Sequence, residues 1–163
     1  MKTKKILCIF VIILLAISIT SVVYAKEIEC KNFKITIPDG YEKTDNYDYM
    51  EHTDYLYIST GITKDSGSIC IQELGQGGKT KEYSGLDSSY LKDKEVQKTE
   101  NIAGGFAEKC KGDGHNFTYA EFETGGYTYG VVVSHDRYSN YDDAMFQKDI
   151  SAIESISSSL YRK

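Results

Sequence analysis

Tryptophan is absent from this 163-residue sequence, and proline occurs once, at Pro38. Lysine and arginine never cluster beyond a few residues, so the phosphate-driven binding that basic patches provide is not expected, and a nucleic-acid partner is excluded. No proline-rich linker divides the chain and no internal repeat is visible. A chain of this size then makes one domain and buries roughly two thirds of its unfolded surface, enough for a single core without staples. Cysteine is sparse: Cys8, Cys30, Cys70 and Cys110.

The one long hydrophobic run lies at the start. Lys2, Lys4 and Lys5 precede an apolar stretch from Ile6 to Ile19, and Val23-Tyr24-Ala25 ends in the small-residue pattern that a signal peptidase accepts. Residues 1–25 therefore read as a signal peptide cleaved after Ala25. An uncleaved membrane anchor is the rival, since a run extended to Val23 approaches the roughly 18 residues that a span requires. Thr20 and Ser21 break the far end of the run, which favours cleavage. No cysteine stands at the cleavage point to carry a lipid; Cys8 lies inside the run and leaves with it. Losing the three leader lysines takes the 19 basic residues to 16 against 24 acidic, a net charge of −8. Residues 26–163 are thus expected as a single acidic domain, secreted or otherwise extracytoplasmic, touching a membrane only through an uncleaved leader.

In an oxidising compartment Cys30, Cys70 and Cys110 allow one disulfide, in any of three pairings, with one thiol left over. Each also sits in or beside a strand-like run ("IECKNF", "SICIQEL", "FAEKCKG"), where a small buried hydrophobe is the alternative.

Periodicity supplies the elements. Phe33, Ile35 and Ile37 alternate with Lys34 and Thr36 as in a half-buried strand, and Pro38-Asp39-Gly40 sets a turn. "YLYIS" and "SICIQEL" predict two further strands about a polar turn at 64–67. "GGKTKEYSGLDSSYLK" has only weak helical character. Residues 95–102, 106–110, 117–122 and 127–134 predict strands separated by glycine-containing turns. If Gly125-Gly126 is a two-residue turn, Phe122 faces Tyr129, Ala120 faces Val131 and Thr118 faces Val133, one largely apolar face. The other face is mixed, with Phe117, Tyr119, Glu121, Thr128 and Val132.

The chain closes in an amphipathic helix. Phe146, Ile150, Ile153, Ser157 and Leu160 fall on one side, and Lys148, Ser151, Ser155 and Ser159 on the other. Ser139 or Asn140 is the expected cap, Asp142 and Asp143 suit the first turn, and Arg162 and Lys163 suit the end. A helix beside a sheet with an apolar face makes an α+β domain.

The order of "FKITIPDGYE", "NIAGGFAEK", "FETGGYTYGVVVSHD" and "ISAIESISSSL" after a leader resembles the PsbP-like family over most of residues 29–160. That resemblance implies an antiparallel sheet sandwiched between helices, with Pro38 and Gly40 as the turn that redirects the first strand. Tyr41 stands where the family commonly has tryptophan. The family spans photosystem accessory subunits, import factors and exported proteins, and a fold does not by itself transfer a function.

Motifs for chemistry are few. "GQGGKT" (75–80) ends like a phosphate loop, but Glu73 occupies the leading glycine position of that motif, and a flexible turn fits better. "DNYDYMEHTD" groups Asp45, Asp48, Glu51, His52 and Asp54 without the ligand spacing or turn glycine of a calcium loop, and reads as a solvated acidic loop. A Gly125-Gly126 turn places His115 opposite Asp136, and a Gly112-Asp113 turn places Cys110 opposite His115, a Cys-His-Asp row. Asp113-Gly114 is the better type I′ pair; it moves Cys110 opposite Phe117 and dissolves the row. His135 and the remaining thiols have no nucleophile signature around them. Asn116 to Thr118 is a glycosylation sequon set in a strand. Tyr47, Tyr49, Tyr55 and Tyr57 crowd a short region; they suit sheet packing or a binding face with polar tips.

The expectation is therefore an exported, non-catalytic binding or accessory module, needing no cofactor or metal, whose partner is a protein or envelope component. The rival is a small secreted hydrolase or thiol enzyme using Cys110, His115 and Asp136. The two differ in whether a thiol, a histidine and an acid converge on a cleft.

Overall fold

The computed structural model describes residues 26–43, 55–59, 67–136 and 140–163. Its strands are β1 (Glu27–Glu29), β2 (Phe33–Thr36), β3 (Glu42–Lys43), β4 (Tyr55–Ser59), β5 (Gly67–Gln76), β6 (Lys79–Thr80), β7 (Glu95–Ile102), β8 (Gly105–Gly112), β9 (His115–Thr124), β10 (Tyr127–His135) and β11 (Tyr161–Arg162). Two helices are described, α1 (Ser88–Lys92) and α2 (Asp143–Ser159). The large sheet runs β3-β4-β5-β10-β9-β8-β7 with β6 paired to β5, and a small sheet runs β1-β2-β11; every pairing is antiparallel. The chain is an α+β protein, mostly antiparallel sheet.

The β9–β10 hairpin has the expected register: Tyr129 opposes Phe122, Val131 opposes Ala120 and Val133 opposes Thr118. Its turn uses Gly125 at φ 60 and Gly126 at φ 78, the left-handed pair whose twist matches that of the flanking strands. A side chain at either glycine would meet nothing within 4 Å, so the penalty of substitution there is conformational. Gly125→Val and Gly126→Val should each cost more than about 1 kcal/mol, read from urea midpoints. Unchanged midpoints in both variants would remove this account of the turn.

Alternation then divides the large sheet's side chains between two cores. On one face Ile69, Ile71, Ala107, Ala120, Phe122, Tyr129, Val131 and Val133 pack with Phe33 and Ile35 of the small sheet and with Phe146, Ile150, Ile153 and Ile156 of α2. The opposite face, read from sequence as mixed, builds a second core of Cys70, Leu74, Tyr83, Cys110, Phe117, Tyr119 and Val132, flanked by Tyr90 and Leu91 of α1. The expected helical layer on that side amounts to a five-residue helix at the end of a mostly irregular segment. Tyr83 does the covering instead, its ring edge-on to Tyr119 at 6.1 Å.

The ends of α2 differ from expectation. Asp142 caps it rather than Ser139 or Asn140, its carboxylate accepting from the Met145 backbone N–H at 2.9 Å. This closes a donor that the first turn leaves open. Asp143 receives Lys109 at 2.8 Å and Lys98 at 3.4 Å, which holds its carboxyl below the usual carboxylate range. At the other end Arg162 does not complete the helix: it lies in β11 opposite Phe33, because β2 offers a free edge where the helix stops.

Candidate functional site

A buried polar cluster interrupts the apolar contact between α2 and the large sheet. Along β10 the residues that face the helix are Tyr129, Val131 and Val133, and the same parity brings His135 inward at the strand's end. On α2 the buried stripe is Phe146, Asp149, Ile150, Ile153 and Ile156. Asp149 is 2% exposed and His135 9%, so neither can rely on water. Burying a carboxylate is unfavourable unless donors surround it, and here they do.

His135 Nε2 lies 2.9 Å from Asp149 Oδ2 and 3.1 Å from Oδ1. The carboxylate can only accept, so Nε2 carries the hydrogen. The Thr118 hydroxyl of β9 donates to Oδ2 at 2.5 Å, and the Tyr141 phenol reaches the same oxygen at 3.2 Å while also bonding Thr118 Oγ1. Burial, and then the charge of Asp149, push the Tyr141 phenol well above the ordinary tyrosine range. The same two causes push Tyr41 up to about 12. His135 also lies against Tyr141, ring centres 5.0 Å apart. One carboxylate thereby ties together α2, β9, β10 and the segment that leads into the helix.

A cleft of about 650 Å³ opens beside this cluster, with Pro38, Tyr41, Gly67, His135, Lys148 and Asp149 among its walls. Gly67 opposes His135 across the β5–β10 ladder, and a side chain there would touch the Tyr41 hydroxyl at 3.4 Å and the imidazole at 3.5 Å. Its lack of a Cβ keeps the imidazole's edge clear. On the other side of the sheet a cleft of about 750 Å³ lies between the 80–94 segment and β9, with Tyr83, Leu91, Lys94, Tyr119 and Glu121 in its walls. Lys94 sits 4.2 Å over the Tyr119 ring and pairs with Glu108 at 2.5 Å, and the Tyr119 hydroxyl bonds Glu121.

The Cys-His-Asp row proposed for a thiol enzyme does not form. Asp113 at φ 47 and Gly114 at φ 74 make the turn, which sets Cys110 opposite Phe117 and His115 opposite Gly112. The β9–β10 ladder ends at Ser134 and Phe117, two pairs short of setting Asp136 opposite His115. His115 instead stacks on Tyr90, ring centres 4.4 Å apart. Cys30, Cys70 and Cys110 are buried, and none of the three is in a disulfide. Burial pushes the Cys70 and Cys110 thiols up to about 11.

Other sequence candidates fall elsewhere. The phosphate-loop look-alike is a hairpin, with Gly75 opposite Thr80 and Gln76 opposite Lys79, and the next helix begins only at Ser88, not at the turn where a phosphate would sit. Tyr55 and Tyr57 lie in β4, in register with Gln72 and Cys70. Ala25, Tyr47, Tyr49 and the acidic loop from Asp45 to Asp54 lie outside the described residues. Among the described residues no group of three or more His, Cys, Asp or Glu is placed to hold a metal ion, and no helix is long and apolar enough to cross a membrane.

His135 and Asp149 are what sequence reasoning missed. The signal was present: a carboxylate on the apolar stripe of a helix, and a histidine continuing the apolar parity of a strand.

No protein-family model matches the chain, and no curated protein does. Among solved structures the chain is similar to the solution structure of cyanobacterial PsbP (CyanoP) from Synechocystis sp. PCC 6803. The TM-score is 0.46 and the identity 10%, with 88% of this chain and 96% of that one covered. This is the family whose motifs the sequence resembles.

Proposed function

We propose that the chain is an exported, non-catalytic binding or accessory module that engages a protein or envelope component outside the cytoplasm. The observation that carries this reading is the placement of the thiols. Cys70 and Cys110 are fully buried in the core across the sheet from His135 and Asp149, and their raised thiol pKa values disfavour the thiolate that a nucleophile needs. The His135–Asp149 pair, which borders a cleft, is occupied in holding α2 to the sheet. Tyr47, Tyr49, Tyr55 and Tyr57 are the surface proposed to meet the partner, as tyrosine offers large contact area with a polar tip. The N-terminal 25 residues serve export and are cleaved after Ala25.

Two measurements test this. A screen for esterase, amidase and peptidase activity should find no turnover, and Cys110→Ala and His115→Ala should alter stability at most. Turnover lost in both variants with folding intact would establish the thiol enzyme instead. A pull-down from the envelope fraction should recover a partner that a Tyr47→Ser/Tyr49→Ser/Tyr55→Ser/Tyr57→Ser variant fails to recover. Equal recovery by that variant would remove the tyrosine face from the proposal.

A further inference from the structure

β7 is the last strand of the large sheet, and among the described residues nothing pairs with its outer edge. Such an edge is a template for another strand. Glu95, Val96, Gln97, Thr99 and Asn101 are exposed, and Val96, at 43%, is one of two large exposed hydrophobics among the described residues.

We propose that β7 pairs antiparallel with β7 of a second copy of this chain, about a two-fold axis at Thr99, joining the two large sheets edge to edge. Directly opposed residues in a sheet share a face, and residues alternate along a strand, so a symmetric register must be centred on a residue. Centring on Lys98 sets cation against cation, and centring on Glu100 sets anion against anion. Centring on Thr99 places Lys98 opposite Glu100 of the second copy twice over, with Gln97 opposite Asn101. Lys98 and Glu100 already pair within the chain at 2.8 Å, which shows that they lie on one face. Charges on an edge commonly block promiscuous pairing; here their order opposes the registers centred on Lys98 and Glu100 and favours the one centred on Thr99. The irregularity between Val96 and Lys98 in the β7–β8 ladder leaves Gln97 as the extra residue and confines the join to residues 97–101. A join this short makes a weak, concentration-dependent dimer.

The test is a charge swap. The full-length chain is expressed in an exporting host, purified in the form released, and sedimented over a range up to several hundred micromolar. Lys98→Glu should weaken association at least about tenfold, and Lys98→Glu/Glu100→Lys should restore it. A wild-type protein that stays monomeric throughout, or a double variant no better than the single, would overturn the proposal. Thr99→Cys provides a second readout, since opposed Cα atoms about 4.5–5.5 Å apart fall in the range that a disulfide bridges. It should give a covalent homodimer on non-reducing gels that the wild type does not give. No cross-link, or a cross-link to a different protein, would also overturn the proposal.

Discussion

Asp149→Ala should destabilise the protein by about 3–5 kcal/mol, the loss expected when the shared acceptor of three buried donors is removed. The substitution leaves His135 Nε2, the Thr118 hydroxyl and the Tyr141 phenol facing a cavity without their acceptor. It also detaches α2 from β9 and β10 at the point where the apolar contact is interrupted. Asp149→Asn keeps one acceptor oxygen and nearly the same shape, so its loss should be smaller. Lys148→Ala, one residue away on the exposed side of the helix, should stay within about 0.5 kcal/mol. Urea unfolding of the three variants reads the order directly. If Asp149→Ala unfolds within 1 kcal/mol of the wild type, the cluster is not what holds α2 down.

Alkali should destabilise the protein progressively from about pH 9 upward. Burial pushes the Cys70 thiol from 9.0 up to about 11, and burial together with Asp149 pushes Tyr41 from 10.0 up to about 12. Tyr83 is likewise raised, mainly by burial. For an acid raised in the folded state, both states hold the proton at low pH, so nothing is gained or lost there. Between the unfolded and folded pKa values the unfolded chain has lost its proton and the folded chain has not, so stability falls as pH rises. The fall begins near pH 9 for the thiol and near pH 10 for the tyrosines. Cys70 alone accounts for about 2–3 kcal/mol once pH passes 11, at about 1.4 kcal/mol per unit. Denaturant midpoints between pH 8 and pH 12 should decline accordingly, and Cys70→Ala should remove part of the fall between pH 9 and pH 11, with the Cys110 thiol, likewise raised to about 11, keeping the rest. Midpoints that stay level up to pH 11 would show that the thiol and phenol protons are not buried in this way.

Much of the fold could be read from sequence because it is local. The β9–β10 register follows from two glycines able to adopt positive φ and from strict alternation on either side, and the structure pairs Phe122 with Tyr129 and Val131 with Ala120 as expected. The choice between two turns before His115 could also be settled locally, since Asp113-Gly114 suits left-handed backbone better than Gly112-Asp113, and that choice abolished the Cys-His-Asp row. The helical period placed Phe146, Ile150 and Ile153 correctly. Its limits were less legible: Asp142 outcompeted Ser139 and Asn140 as cap, and β2 captured Arg162 into a strand.

Turn chemistry and periodicity alone thus determined the strands of the β8–β9–β10 meander, the side of α2 that is apolar, and the absence of a phosphate loop. Which buried face meets which was decided by the tertiary structure. His135 and Asp149 are separated by fourteen positions and belong to elements of different period, and nothing local requires β5 to lie beside β10, or α2 to cross the face that His135 shares. The same holds for the thiols. Strand alternation put Cys70 and Cys110 on a face that looked half polar, and only the packing of Tyr83 and α1 against it made that face a second core. Periodicity tells a side chain which way to point, but the free energy of burial depends on what arrives to cover it, and that is a property of strand order.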